Sequence, residues 1–253
     1  MRPLRAGDRL GQPASARRFA RRSEAALALL SGAADWSVLA FAADTAANAG
    51  AAVSTLNARR GTSPTAAGAL RPATLGNAIV FGGAQLMTGE TGILGGATGA
   101  TIVAVCEMTG TSGTLAAYGN PYYADRRMYA GLSGTALSVV AGNGETALAN
   151  RNNIFAPIGA GMRAVATTHD RTQAAASELA VYDDGLLSTP TASVANDTTG
   201  TFQASQAFTI GAYSNGTLPI TMNLRGIGVL SSAASAQSVR RLSRLLLAAC
   251  GVL

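Results

Sequence analysis

From Trp36 to Leu230 the chain is a succession of short apolar and β-branched runs cut by clusters of Gly, Asn, Asp and Thr, at spacings near ten residues. No other feature restricts the fold as strongly. A helix needs apolar residues sustained at a period of 3.6 over several turns, and runs interrupted this often by glycine cannot supply it. An all-β sandwich or barrel is built from such pieces. The runs that read as strands are Ser37–Ala42, Ala78–Phe81, Thr101–Met108, Thr114–Tyr118, Met128–Leu132, Ala136–Val140, Met162–Thr168, Ser177–Tyr182, Phe208–Ala212 and Ile220–Leu230. Between Asp44 and Pro72 the periodicity fades, which predicts a long loop lying across a sheet.

Helical patterns flank this β-rich body. Residues 14–31 are rich in Ala, Arg and Leu and end on Ser31-Gly32, so they read as a helix whose apolar stripe is Phe19, Leu27 and Leu30. After the last strand, Ser235 can cap a helix over residues 235–249 in which Val239, Leu242, Leu245, Leu246 and Ala249 share one face. Arg240, Arg241 and Arg244 fall on the other face, the pattern of a helix that covers one edge of the sandwich.

Charge divides the chain at the same place. All 19 cationic side chains are Arg, which removes a P-loop lysine or a Schiff-base lysine from consideration. The formal charge of +6 lies wholly in residues 1–22, where seven Arg face a single acid, Asp8; the remainder carries 12 Arg and 12 Asp or Glu. A neutral body with a cationic arm is expected to use the arm for attachment, so nucleic acid is not the expected partner. The expected organisation is an Arg-rich anchoring arm over residues 1–31, with Arg17, Arg18, Arg21 and Arg22 as its docking cations, and a body over residues 32–253. No apolar run approaches the roughly 20 residues that span a bilayer, so membrane insertion is not expected. Cys106 and Cys250 are too few for a disulfide framework and read as small buried residues.

Several motifs can be set against their chemistry. Gly159-Ala160-Gly161-Met162-Arg163-Ala164 has the letters of a dinucleotide fingerprint, but the residues after the glycines are strand-like where a helix N-terminus is required. His169, the single histidine, reads as a solvated residue at a strand end. Glu90, Glu107, Glu145 and Glu178 each lack a second acid at i+2 or i+4, so no glycosidase carboxylate pair is expected and the catalytic set is empty. Asp183-Asp184-Gly185 is a hairpin turn, with calcium held by Asp170, Asp183 and Asp184 as its functional alternative; no other cofactor is expected.

The segment Tyr118 to Tyr129 collects four of the six Tyr with Asn, Asp and Arg. Aromatic faces stack on sugar rings while amide, carboxylate and guanidinium groups fix hydroxyls, and the same composition suits a subunit contact. The candidate carbohydrate contacts are Tyr118, Asn120, Tyr122, Tyr123, Asp125 and Arg126, with Tyr213 and Asn215 on a second loop.

A series of motifs resembles the concanavalin A-like lectin/glucanase (laminin-G-like) domains. Arg71-Pro72-Ala73-Thr74-Leu75, then Ala78-Ile79-Val80-Phe81-Gly82-Gly83 and Leu86, resemble the opening of that family. Thr101–Cys106, Gly113–Ala117, Ala164–Asp170, Leu179–Gly185, Phe208–Gly211 and Leu224–Leu230 come next in the family's order, and the helix after Ser235 completes it. The chain departs from the pattern at Gly82, where the family has Asp, and at Met162, where an aromatic is common. It also lacks the Glu-x-Asp-x-x-Glu of the laminarinase-like enzymes. The resemblance implies a jelly-roll β-sandwich of the non-catalytic kind found in phage and phage-derived particles. It implies a fibre, spike or tail component, made in a bacterial cytoplasm, that binds surface polysaccharide for host attachment. Residues 1–31 would meet other particle proteins, and the component is expected to be oligomeric. A decoration protein without ligand and a secreted glycan-active enzyme are the alternatives.

Overall fold

The computed structural model describes residues 24–45, 51–119, 128–142, 151–194, 200–213 and 215–253. Its strands form two antiparallel sheets stacked face to face. In chain order they are β1 (Trp36–Phe41), β2 (Ala58–Gly61), β3 (Ala73–Leu75), β4 (Ala78–Gly82), β5 (Met87–Thr91), β6 (Gly99–Met108), β7 (Ser112–Tyr118) and β8 (Met128–Ser133). Next come β9 (Ala136–Gly142), β10 (Arg151–Pro157), β11 (Arg163–Asp170), β12 (Leu179–Asp183), β13 (Leu186–Leu187), β14 (Ala192–Val194), β15 (Ala207–Ile210) and β16 (Thr221–Leu230). Helix α1 covers residues 24–31 and α2 covers Ala236–Ala249. No helix among the described residues is long and apolar enough to cross a membrane.

The first sheet runs β13-β12-β11-β6-β16-β1-β2, with β4 also on β16 and β3 on β4. Strand β16 shares one edge between two partners, Thr221–Leu224 with β4 and Gly226–Leu230 with β1, and its pairing with β6 on the other edge shifts register at the same place, between Leu224 and Gly226. The second sheet runs β14-β10-β9-β8-β7-β15-β5.

Period-two alternation sorts β6 between two cores. Ala100, Ile102, Ala104 and Cys106 enter the space between the sheets, while Val103 and Val105 point to the outer face, where both helices lie. A strand covered on both sides reads as an uninterrupted apolar run, which is why Thr101–Cys106 is so conspicuous in sequence. The outer core joins Leu30, Trp36, Leu39 and Phe41 to Val239, Leu242, Leu246 and Leu247 of α2. Ser235 caps α2 by accepting from the Ser238 N–H at 3.2 Å, and Arg240, Arg241 and Arg244 face solvent.

The described end of the arm packs on the body: Ala26 and Leu30 are buried, and the Trp36 indole donates to the Leu30 carbonyl at 2.9 Å. The indole lies flat over β16, so close that a methyl group on Gly228 would fall 2.3 Å from its Cζ3. Arg17, Arg18, Arg21 and Arg22 lie outside the described residues. The stretch expected to be a loop across the sheet contains the edge strand β2 and a turn of 3-10 helix at Gly68–Leu70. Its backbone bonds to Pro72 and Thr88 as it crosses.

Candidate functional site

The two ends of the sandwich differ in chemistry. At one end, strand β11 turns Val165, Thr167 and His169 toward the space between the sheets, so the histidine is fully buried and not a solvated end residue. Its Nε2 meets a carboxylate oxygen of Glu178, itself only 2% exposed. Asn152, on β10 of the opposite sheet, donates its side-chain N–H groups to the other Glu178 oxygen at 3.0 Å and to the Ala175 carbonyl at 2.7 Å. Arg171 donates to the Gly142 carbonyl at 3.0 Å and lies 4.6 Å over the Phe202 ring, which meets His169 edge-on at 5.2 Å. Burial drives the His169 pKa down to about 4, against the Glu178 hydrogen bond, which raises it, and with the Arg171 charge, which lowers it further. The imidazole is therefore neutral at pH 7, hydrogen-bonded to a carboxylate, and the cluster ties one sheet to the other.

At the opposite end the sheets part into a cleft of about 300 Å³. Cys106, Met108, Leu132, Ile158 and Val165 form its floor, and Gly110, Thr111, Gly134, Thr135 and the 159–161 loop form its rim. Arg163 is the one cation among the described lining residues. It donates through Nη1 to Asp183 at 2.5 and 2.6 Å, through Nη2 to the Ala160 carbonyl at 2.8 Å, and stands 3.8 Å from Asp184. Asp183 also accepts the Gly159 N–H at 2.9 Å. The guanidinium lies so close to Gly159 that a Cβ there would fall 2.3 Å from Nη2. Burial pushes the Cys106 thiol up to about 12, with the Arg163 charge pulling the other way, so the floor is uncharged. The 159–161 glycines thus serve a loop between β10 and β11, and strand β11 comes after them where a dinucleotide site would need a helix.

The sequence-predicted contacts do not come together on one described surface. Tyr118 points between the sheets, fully buried, donates its hydroxyl to the Gln203 carbonyl at 2.6 Å, and meets Phe202 edge-on. Tyr213 is buried on the outer face of the second sheet against Tyr129. Neither offers a ring face to a sugar. Asn215 is exposed, its side-chain oxygen accepting from the Thr217 N–H and hydroxyl in a local turn. Asn120, Tyr122, Tyr123, Asp125 and Arg126 lie outside the described residues.

Asp184 and Gly185, both at positive φ, make the expected two-residue hairpin turn between β12 and β13. The candidate calcium ligands separate. Val165 pairs with Asp183, whereas Asp170 lies at the other end of β11, about 17 Å along the strand at 3.3 Å per residue. Asp184 accepts the Ala164 N–H at 2.9 Å, and Asp170 accepts the Thr172 N–H at 3.0 Å and its hydroxyl at 2.6 Å. Among the described residues no group of three or more His, Cys, Asp or Glu could hold a metal.

No family model matches the chain, and no curated protein matches it in sequence. Solved structures do. The binding domain of botulinum neurotoxin DC in complex with SialylT superposes with a TM-score of 0.59 at 10% identity, covering 84% of this chain and 52% of that one. The chain shares its fold with these toxin domains. A botulinum neurotoxin type C structure, described for cell entry dependent on two ganglioside molecules, gives 0.57 at 11% identity over 83% of this chain and 51% of that one. The DC binding domain in complex with rat synaptotagmin II gives 0.58 at 10% identity over 84% and 52%. The chain spans about half the length of the structures it matches.

Proposed function

We propose that the chain is a non-catalytic, concanavalin A-like glycan-binding domain that serves as a fibre, spike or tail component of a virion or virus-like particle. The observation that carries the glycan-binding part is the likeness in fold to toxin binding domains described with gangliosides and with SialylT. The cleft beside Arg163 is a recess on the described surface that suits a small ligand of mixed character: apolar floor, glycine-rich rim and hydroxyls from Thr111 and Thr135. The non-catalytic part is supported by how four of the described carboxylates are used. Asp183 is held by Arg163, Glu178 by His169 and Asn152, Glu107 by Asn223, and Asp44 by Arg59.

The particle placement rests on the segregated charge of residues 1–22, which suits an attachment arm. Oligomerisation has a candidate surface at the edge strand β13, where Leu186 and Leu187 are exposed. A glycan array and a capsule pull-down with the whole chain test the reading. Retention of at least one polysaccharide supports it; retention of none leaves a decoration protein without ligand. Turnover of a retained glycan, abolished by one Asp→Asn or Glu→Gln change, would make the chain an enzyme.

A further inference from the structure

The electrostatics of the cleft restrict which glycans it can hold, a restriction that rests on the glycan-binding reading. The one cation of its described lining, Arg163, is engaged on both sides, by the Asp183 carboxylate and by the Ala160 carbonyl. With Asp184 3.8 Å away, two carboxylates face this guanidinium, and neither of them lines the cleft, so the described lining holds no unengaged charge. A carboxylate or sulfate entering the cleft would lose hydration without gaining a free cation from the described lining. Desolvating an ion without a partner costs several kcal/mol, more than the remaining contacts of a small site can offset.

Size and lining narrow the choice further. About 300 Å³ is at the lower bound of pockets that enclose small molecules, roughly 300–1,000 Å³, so there is room for one sugar ring and not for a chain. The floor presents thioether, thiol and branched alkyl groups from Met108, Cys106, Leu132, Ile158 and Val165. A hydroxyl pressed against that floor would lose its hydrogen bonds, whereas a methyl group gains by leaving water. The rim carries the polar atoms, and at Gly134 and Gly161 it is bare: a Cβ at either would meet nothing within 4 Å. A ring can therefore lie close to the backbone there.

We propose that the cleft takes the terminal residue of a glycan as a neutral sugar bearing a methyl group, a 6-deoxyhexose or an N-acetylhexosamine, with the methyl on the Met108–Leu132–Ile158 floor, and that it excludes sialic and uronic acids.

The test is saturation-transfer NMR on the whole chain with methyl α-L-fucoside, methyl α-L-rhamnoside, N-acetylglucosamine, N-acetylgalactosamine, methyl glucoside, N-acetylneuraminic acid and glucuronic acid. Thr135→Trp, at an exposed rim position, fills the mouth without touching the core. The expected result is binding of at least one 6-deoxy or N-acetyl sugar, saturation strongest at its methyl protons, at least tenfold weaker binding of methyl glucoside and both acids, and at least tenfold loss in Thr135→Trp. Acid sugars binding as tightly as neutral ones overturn the proposal. So does a sugar that binds Thr135→Trp unchanged. If the wild-type array retains glycans and Thr135→Trp retains the same ones, the glycan-binding reading stands while the cleft is refuted. If the array retains none, both fall.

Discussion

Acidification from pH 7 to pH 4 should loosen this protein through one residue, His169. Its folded pKa of about 4 lies below the ordinary 6.5 of an unfolded histidine because the ring is buried. The unfolded chain therefore takes up a proton as pH falls through 6.5, while the folded chain does so only near 4. Stability from this residue is fully present above pH 6.5 and is lost between 6.5 and about 4. At 1.36 kcal/mol per unit, the loss is about 3 kcal/mol, a large part of the 5–15 kcal/mol typical of a folded domain. Asp170 also titrates low, since the Thr172 and Gln173 hydrogen bonds outweigh its burial, but its contribution falls below the ordinary Asp value and outside this window. The assay is urea denaturation at half-unit steps from pH 7 to 4, on the wild type and on His169→Gln, which keeps an amide donor for Glu178. The wild-type midpoint should fall by about 1 M relative to the variant across the window, given slopes of roughly 1–3 kcal/mol per M or more. Equal pH dependence in the two proteins would refute the reasoning, because the proton uptake could then not reside on His169.

Three further outcomes are expected. Leu30→Ala should cost about 2–5 kcal/mol, because Leu30 is fully buried between α1 and the first sheet, and urea unfolding will measure it. Gly228→Ala should displace the only Trp in the chain, costing about 1–3 kcal/mol as an overpacked site and shifting the Trp36 emission maximum to the red; an unchanged spectrum would mean the indole does not lie over Gly228. Cys106, with its thiol pushed up to about 12, should resist a disulfide reagent at pH 8 in the folded protein and react only on unfolding in urea.

Strands that bury an alternating face are legible in the sequence, and those that do not escape it for identifiable reasons. Every run read as a strand overlaps an observed one, from Ser37–Ala42 on β1 to Ile220–Leu230 on β16. Strand β2, Ala58–Gly61, and strand β5, Met87–Thr91, sit at sheet edges with mostly exposed side chains, so no apolar period marks them. Strand β10 is internal yet opens Arg151-Asn152-Asn153 and ends on Pro157. Asn152 is tolerated there because Glu178 and the Ala175 carbonyl satisfy its amide, a partnership formed across 26 and 23 residues of chain. The same distance hides the His169 cluster. The signal that could have found it is phase: His169 alternates with Val165 and Thr167, which places it inside. The cleft is illegible for a different reason, since its rim is glycine and its polar atoms are largely backbone.

The aromatic residues illustrate why composition misleads about recognition in this fold. A tyrosine beside a loop reads as a sugar platform, yet Tyr118 ends β7 in the phase that faces the sandwich interior, shared with Ala116, and its hydroxyl finds the Gln203 carbonyl there. Tyr213 takes the outer face instead, where Ala117, Tyr129 and Val140 complete a small cluster of their own. Each ring is large enough that burying it outweighs presenting it, at roughly 25 cal/mol per Å² over an area of 150–250 Å². A chain with only 6 Tyr, 6 Phe and 1 Trp over 253 residues has few large side chains with which to fill the gap between two Ala- and Gly-rich sheets. Its described aromatics, Tyr118, Tyr129, Tyr213, Phe202 and Phe208 among them, are drawn inward, which leaves the cleft beside Arg163 lined by backbone, threonine hydroxyls and aliphatic side chains rather than by rings.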